Sequence, residues 1–304
     1  MYQCFNVVED GAIVHIQLAR PEKRNSMIAS FWSELYTIVD EIDRQARARV
    51  IVISSLGPHF SSGMDISVFQ SIASTESSLS AENSAPESAE ASARADSSTK
   101  VHVASRFYGT VMRLQRVFTR LERCRIPVLV AVQGGCVGAA LDLITACDCR
   151  YATDDAYFTI YETNLAMTAD VGTFPRICKL IPDGLVRELA YTGRALSAQE
   201  AAQAGLVNQL YADADQLLAA VMEVAQTIAS KAPVAVHGCK KMILHSRDHS
   251  VAETLEHVAL WSAGFFERED ILEALSANAE QRAGQYTSLP PMPADDDTDT
   301  GIEL

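Results

Sequence analysis

The chain has 304 residues, 48% of them hydrophobic, and a formal net charge of −14 at pH 7. This length suffices for one large domain, or for one domain with an appended region. The acidic balance argues against a general nucleic-acid or membrane-surface binder, and no apolar run approaches the roughly 18 residues that cross a bilayer.

The seven cysteines are scattered and form no Cys-x-x-Cys pair. We expect buried, reduced thiols of an intracellular protein rather than disulfides or metal ligands. The histidines show no ligand spacing, so no metal site is expected. No targeting signal is readable: the N-terminus resembles neither a signal peptide nor a transit peptide, and the chain does not end in Ser-Lys-Leu.

Two short strands, 5–8 and 13–18, are predicted to form a hairpin through residues 9–11. The apolar spacing predicts a helix over 28–47, and the β-branched run 50–54 predicts a buried strand. The chain therefore begins as a hairpin followed by a helix and a further strand.

Two loops flank this helix and strand. The first, 20–26, carries three basic residues and is either a solvated loop that caps the helix or a clamp for phosphates. The second, 59–66, contains Gly63, which permits a close backbone approach to a ligand. The backbone N–H of Met64 could then face that ligand, although such a pattern alone indicates no more than a turn.

Residues 71–100 are rich in Ser, Ala and Glu, with almost no aliphatic side chains. A segment of this composition buries too little apolar surface to order itself. We therefore predict a flexible insertion within one domain, because the alternation of strand and helix resumes with a helix over 101–124 and a strand over 127–133.

That strand leads into a Gly-rich stretch, 134–146, which is predicted to form a tight turn and then a helix. Gly135 and Gly138 allow a sharp turn and a close approach to a ligand. The free N–H groups of a helix N-terminus can hold a phosphate or a developing oxyanion. Asp142 lies inside this otherwise apolar helix, where a carboxylate must be paired, solvated or functional.

The remaining elements alternate up to about residue 212. The predicted strands are 148–152, 157–161 and 207–211, and the predicted helices are 183–191 and 197–204, the latter with Gly205 as its C-cap. Amphipathic helices follow at 215–231, 233–246 and 251–277. They suggest an appended packing or oligomerisation region, and the Pro-rich, then acidic segment 289–304 is predicted to be frayed.

Three carboxylates stand in apolar or small-residue surroundings: Asp142, Glu162 and Asp170. Paired carboxylates can move a proton from one carbon to another, and two backbone N–H groups can stabilise an enolate oxygen. Together they suit proton abstraction next to a carbonyl. The alternative is that Glu162 and Asp170 are surface or capping carboxylates, since Asp is a favoured N-cap.

From about Val14 to Ala277, without the Ser-rich insertion, the sequence resembles the crotonase, or enoyl-CoA hydratase/isomerase, superfamily. The matching segments are 18–26, 60–65 and 148–151. Within the superfamily it is most similar to the Δ3,5-Δ2,4-dienoyl-CoA isomerases. This closer similarity rests on Gly-Gly-Cys-Val-Gly-x-x-x-Asp at 134–142, Glu162, Ala-Asp-Val-Gly-Thr at 169–173, and segments 230–236 and 246–253.

The resemblance implies an α/β fold, a crotonase-like spiral of ββα repeats with a helical C-terminal oligomerisation region. The spiral core would span 1–212, the helical region 213–285 and the acidic tail 286–304. It also implies a homotrimer or homohexamer, and an isomerase of unsaturated fatty-acid oxidation located in mitochondria or peroxisomes.

The resemblance also implies roles for individual residues. The oxyanion hole falls on the backbone N–H groups of Met64 and Ala139. The acid/base carboxylates fall on Glu162, which would remove a proton from C2 of a 3,5-dienoyl thioester, and Asp170, which would deliver one to C6. Asp142 would lie beside them as a third catalytic carboxylate.

Coenzyme A is part of the substrate, and no metal or redox cofactor is implied. The residues expected at the coenzyme A moiety are Lys23, Arg24, Ser61, Gly63 and Asp65. The family usually has Gly at both positions occupied by Ala139 and Ala140, and the added methyl groups are expected to affect the fit of the thioester. The insertion falls in a part of the family that shapes the acyl pocket.

Two other functions fit the same sequence. A 2-enoyl-CoA hydratase would usually have Glu at the positions of both Asp142 and Glu162, so the shorter Asp142 and the additional Asp170 favour isomerisation. A non-catalytic scaffold or RNA-binding protein of the same fold is the other alternative, and the acidic balance argues against the RNA binder.

Overall fold

The computed structural model describes residues 2–68 and 89–293, with side chains described outside 89–100. The strands are β1 (Phe5–Asp10), β2 (Ile13–Leu18), β3 (Val50–Ser55), β4 (Val128–Val132), β5 (Gly135–Val137), β6 (Cys149–Thr153), β7 (Tyr157–Thr159), β8 (Leu196–Ser197) and β9 (Gln209–Tyr211). The helices are α1 (Ala29–Gln45), α2 (Ala89–Arg123), α3 (Ala139–Thr145), α4 (Thr173–Ile177), α5 (Asp183–Thr192), α6 (Ala198–Ala204), α7 (Ala214–Ala229), α8 (Pro233–Ser246), α9 (Val251–Gly264) and α10 (Arg268–Glu280). Short 3-10 turns occupy Pro21–Lys23 and Glu162–Leu165.

The strands form two sheets, and the chain alternates between them. The larger sheet has the order β1-β2-β3-β4-β6-β9 and the smaller one β5-β7-β8. Among the described strands of the larger sheet, β1 and β2 pair antiparallel and the other neighbours pair parallel. Because β4 and β6 of the larger sheet are each followed by a strand of the smaller one, the chain advances as a spiral of paired strands and helices, which confirms the predicted fold class.

The central strands are buried on both faces, which explains their uninterrupted apolar sequences. Alternate residues of β3 and β4, such as Ile51 and Val130, join the larger core, which also contains the apolar face of α1. The intervening residues, such as Val52 and Leu129, face a second core that is closed by α7. The carboxyl ends of β3 and β4 are thereby fixed, and the loops of the site follow them.

Several predicted boundaries needed correction. The turn of the first hairpin lies at 11–12, because β1 continues to Asp10 and pairs in register with Ile13. Residues 89–100 of the predicted insertion are helical and open α2, whereas 69–88 lie outside the described residues. Gly135 belongs to strand β5 rather than to a turn. The predicted helix over 251–277 is two helices, α9 and α10, separated at residues 265–267.

The C-terminal segment is held against the body further than predicted. Arg49 donates to the carbonyl of Tyr286, Arg125 donates to that of Pro290, and the backbone N–H of Met292 donates to the carbonyl of Arg44. Residues 289–293 are therefore anchored rather than frayed, and 294–304 lie outside the described residues.

All seven cysteines are free, as expected, but Cys178 and Cys239 are exposed and Cys149 is half-buried, so the prediction of burial holds for four of them. Among the described helices, none taken singly is long and apolar enough to cross a bilayer. The bent pair α7 and α8, with an angle of 108°, passes that test on length and composition.

Candidate active site

Two loops are joined by backbone hydrogen bonds at the carboxyl ends of β3 and β4. The N–H of Phe60 donates to the carbonyl of Gln133 at 2.8 Å, and the N–H of Ser61 donates to that of Gly135 at 3.1 Å. The N–H of Val137 returns a bond of 3.1 Å to the carbonyl of Ser61. This pairing holds the loop that precedes Met64 beside the start of α3.

The two loops, α3, α2 and the segment 161–171 line a cavity of about 230 Å³. Its lining is mostly apolar and includes side chains of α2 and of the 161–171 segment. The described lining residues are Ser62, Met64, Phe107, Thr110, Val111, Leu114, Val137, Gly138, Ala139, Asp142, Tyr161, Glu162, Leu165, Met167, Asp170 and Val171. All three predicted catalytic carboxylates and both predicted oxyanion residues therefore meet in one cavity.

The backbone N–H groups of Met64 and Ala139 donate no hydrogen bond to another described residue. Within residues 2–68 and 89–293, neither has a hydrogen-bond acceptor. Gly138, at the N-cap of α3 with φ +57°, turns the chain so that its own N–H bonds to Thr159 while that of Ala139 stays free. Two unpaired donors beside an apolar cavity suit a ligand oxygen that carries negative charge.

Asp142 is the most deeply buried of the three carboxylates, at 1% exposure. Thr173 at the start of α4 donates a hydrogen bond of 2.7 Å from Oγ1 to Asp142 Oδ1. Burial raises the pKa of Asp142 to about 7, the Thr173 hydrogen bond opposes this, and the negative charges of Glu162 and Asp170 add to it. Asp142 therefore changes protonation state near neutral pH.

Glu162 opens the 3-10 turn at Glu162–Leu165 and reaches the cavity beside Gly138. Its Oε2 atom is buried and has no hydrogen-bond partner among the described residues. Burial raises the pKa of Glu162, and the negative charge of Asp170 raises it further. An unpartnered carboxylate oxygen aimed into a cavity is available to take a proton from a ligand.

Asp170 lines the cavity, and the residue is exposed to solvent. Enough protein surrounds it for burial to raise its pKa. The N-cap of α4 is Gly172, not Asp170, so the capping alternative does not describe this residue. Gln115 of α2 donates a hydrogen bond of 2.6 Å to its backbone carbonyl.

The five residues predicted at coenzyme A lie around the first loop but do not line the cavity. Ser61 is buried, donates to the carbonyl of Asn25 and accepts from the N–H of Gly63. Asp65 accepts hydrogen bonds from Ser26 and Ser67, which lower its pKa to about 2. These two side chains hold the loop.

Lys23 and Arg24 are exposed at the end of the 3-10 turn Pro21–Lys23. The backbone carbonyl of Arg24 accepts a hydrogen bond from the N–H of Ser62, which lines the cavity. Their assignment to coenzyme A stays a prediction.

The two alanines that replace the family's usual glycines have different surroundings. Ala139 lines the cavity, whereas Ala140 is fully buried in the larger core and does not contact the cavity. Only the methyl group of Ala139 therefore lies where a bound thioester would meet it.

Sequence reasoning missed two features of the site. It gave no role to Thr173, whose hydroxyl group bonds Asp142. It also did not identify the wall that α2 contributes, although Phe107, Thr110, Val111 and Leu114 recur at the i, i+3, i+4, i+7 spacing of one helical face. That periodicity can be read from the sequence, but the sequence does not show that this helical face lines the cavity.

Known proteins are similar to this chain over most of its length. The enoyl-CoA hydratase/isomerase family model matches residues 9–104 and 102–289. The mouse protein named mitochondrial Δ3,5-Δ2,4-dienoyl-CoA isomerase is 37% identical over 271 residues, covering 89% of this chain and 77% of its own length. The Arabidopsis thaliana protein named peroxisomal Δ3,5-Δ2,4-dienoyl-CoA isomerase is 34% identical, with coverages of 92% and 94%.

The solved structure of an enoyl-CoA hydratase from Bacillus anthracis superposes with a TM-score of 0.77 at 28% sequence identity, covering 93% of this chain and 99% of that one. The spiral topology, the paired loops with their free N–H groups and these sequence matches agree with one another. The chain belongs to the enoyl-CoA hydratase/isomerase, or crotonase, family of enzymes.

Proposed function

We propose that the protein is an isomerase that converts 3,5-dienoyl-CoA to 2,4-dienoyl-CoA in the oxidation of unsaturated fatty acids. The observation that carries this proposal is the presence of Glu162 and Asp170 in one apolar cavity with two free backbone N–H groups. The names of the mouse and Arabidopsis relatives support the same substrate class.

The reaction needs one proton removed and one delivered. Ionised Glu162 takes the proton from C2 of the 3,5-dienoyl thioester, and the electron pair spreads over the conjugated chain to the thioester oxygen. The N–H groups of Met64 and Ala139 stabilise that oxygen in the enolate-like intermediate. Protonated Asp170 then delivers a proton to C6, which leaves double bonds at C2 and C4.

The electrostatics of the cavity favour retention of a proton by this pair of carboxylates, and the reaction needs one proton on the pair. Burial raises the pKa of both Glu162 and Asp170, and the charge of Asp170 raises that of Glu162 further. Two carboxylates that repel each other favour the state in which they share one proton. Buried Asp142 adds a third acidic group, whose negative charge, when ionised, disfavours ionisation of both neighbours at once.

We assign the coenzyme A moiety to the surface beside the first loop. Lys23 and Arg24 lie exposed there, and the loop residues Ser61, Gly63 and Asp65 keep Met64 in position. A cation next to the diphosphate and 3′-phosphate groups of coenzyme A would contribute to binding through charge-assisted hydrogen bonds. The apolar wall of α2 would then receive the acyl chain.

The specific alternative is hydration of 2-enoyl-CoA, which the similarity to the Bacillus anthracis enoyl-CoA hydratase supports. The purified protein should be supplied with a 3,5-dienoyl-CoA and, in a separate assay, with a 2-enoyl-CoA. We expect the first to be converted to a conjugated 2,4-dienoyl-CoA, followed by its ultraviolet absorbance. If only the 2-enoyl-CoA is consumed, the proposed isomerase activity is wrong and the protein is a hydratase.

We further propose a homotrimer or homohexamer. Large apolar side chains are exposed on α9 and α10, among them Leu255 at 63%, Leu260 at 67% and Leu275 at 63%. Exposed apolar patches are typical of protein–protein interfaces. Light scattering that shows a monomer would contradict this assignment.

The two relatives are named as mitochondrial and peroxisomal proteins, and we propose one of these compartments for this chain.

A further inference from the structure

One face of α2 is bonded to the segment that carries Asp170. Gln115 Nε2 donates to the carbonyl oxygen of Asp170 at 2.6 Å. One turn later, Thr119 Oγ1 accepts a bond of 3.3 Å from Arg176, and Glu122 forms an ion pair of 3.0 Å with the same guanidinium group. The three side chains have the i, i+4, i+7 spacing of one helical face.

Arg176 also contacts the loop that precedes α4, because its Nη1 donates a hydrogen bond of 3.3 Å to the carbonyl of Gly172. The stretch between the 3-10 turn and α4 has no regular secondary structure of its own. Among the described residues, Gln115 makes the one side-chain hydrogen bond that reaches Asp170 from another element. The position of the Asp170 backbone therefore depends on α2.

The preceding turns of the same helix line the cavity. Phe107, Val111 and Leu114 contribute apolar side chains, so α2 provides both a wall of the acyl pocket and the attachment of Asp170. Because both parts belong to one helix, their separation along its axis is fixed by the helical rise. The position of Asp170 relative to the acyl chain thus depends on α2.

Glu162 is held independently of this helix. The carbonyl of Glu162 accepts the N–H of Met167, and the adjacent Thr163 donates its hydroxyl to the carbonyl of Ala190 in α5. None of these described contacts involves α2. A change at Gln115 should therefore disturb one of the two proton transfers and leave the other in place.

We propose that Gln115 is a positioning residue for Asp170, which it holds at the remote end of the dienoyl chain through the hydrogen bond to the Asp170 backbone carbonyl. This inference rests on the proposed isomerase function. It separates the two half-reactions: abstraction at C2 by Glu162 is independent of Gln115, whereas protonation at C6 by Asp170 requires it.

The test replaces Gln115 with Met, which has a similar length and helix propensity but donates no hydrogen bond. In D2O, conversion of 3,5-dienoyl-CoA to the 2,4-dienoyl product and exchange of deuterium into C2 of recovered substrate are measured together. We expect Gln115→Met to slow isomerisation roughly 10- to 100-fold, as a small misplacement of a catalytic group does, while exchange at C2 stays close to the wild-type rate.

Arg116→Met is the matched control, since Arg116 is the exposed neighbour on the same helix, and it should leave both rates unchanged. A Gln115→Met protein that keeps the wild-type isomerisation rate, or that loses both reactions to the same degree, overturns the role of Gln115 alone. Absence of isomerisation in the unsubstituted protein overturns the proposed function, and the role of Gln115 with it.

Discussion

Gly63 packs directly against the backbone at Ala139. A Cβ atom at position 63 would lie 3.2 Å from the nitrogen of Ala139 and 2.5 Å from the carbonyl oxygen of Val137. The φ angle of Gly63 is +81°, a value that residues with a side chain rarely adopt. The absence of a side chain at Gly63 is therefore what allows the two loops with free N–H groups to meet.

Gly63→Ala should separate these loops. We expect kcat to fall roughly 100-fold, the usual cost of losing one oxyanion donor, because the new methyl group displaces the backbone at Ala139. Gly11→Ala is a matched control: Gly11 also has a positive φ, at +59°, but a Cβ there meets nothing within 4 Å. If both variants lose activity equally, backbone strain rather than loop geometry is responsible.

Asp142→Asn should change how stability depends on pH. The pKa of Asp142 is raised from 3.8 to about 7 in the folded protein, so its ionised form is disfavoured there. The resulting loss of stability is absent below about pH 4, grows as pH rises towards 7 and is complete above it. Urea unfolding should show the Asn variant gaining on the order of 4 kcal/mol relative to wild type between pH 4 and pH 8.

Thr173→Val should remove the hydrogen bond to Asp142 while keeping the side-chain shape. Because that bond favours the ionised carboxylate, we expect the pKa of Asp142 to rise further, and a stability loss of about 1–2 kcal/mol. Carboxyl ¹³C NMR titration follows the pKa directly. Thr173→Ser retains the hydroxyl group and should titrate like wild type; an unchanged titration in the Val variant would show that the hydrogen bond has no influence.

Asp170→Asn should abolish turnover of 3,5-dienoyl-CoA, because the amide cannot deliver a proton to C6. We expect a loss of about 100-fold or more, with acyl-CoA binding, measured by calorimetry, largely intact. Asp154→Asn changes an exposed carboxylate outside the cavity and should leave turnover of 3,5-dienoyl-CoA unchanged. Normal turnover in the Asp170→Asn protein would remove this residue from the mechanism.

Much of the fold followed from local patterns. Apolar runs flanked by turn residues located strands such as β3 and β4, and amphipathic spacing located α1, α7 and α8 within a few residues. The patterns failed where a boundary depends on distant contacts. The anchoring of 289–293 depends on the side chain of Arg125. The break between α9 and α10 follows Gly264, a local signal that the predicted helix over 251–277 passed over.

The sequence by itself determined most of the strands and helices and drew attention to the acidic residues, because period, turn chemistry and motif spacing are properties of the local chain. The spiral core was implied by the family resemblance that the motifs carry. Only the tertiary structure decided that Asp142, Glu162 and Asp170 share one cavity with the free N–H groups of Met64 and Ala139. It also decided that Thr173 and Gln115 hold two of these acids. The physical reason is that convergence and burial, which shift the pKa values, arise from segments remote in sequence that are brought together by sheet pairing and helix packing.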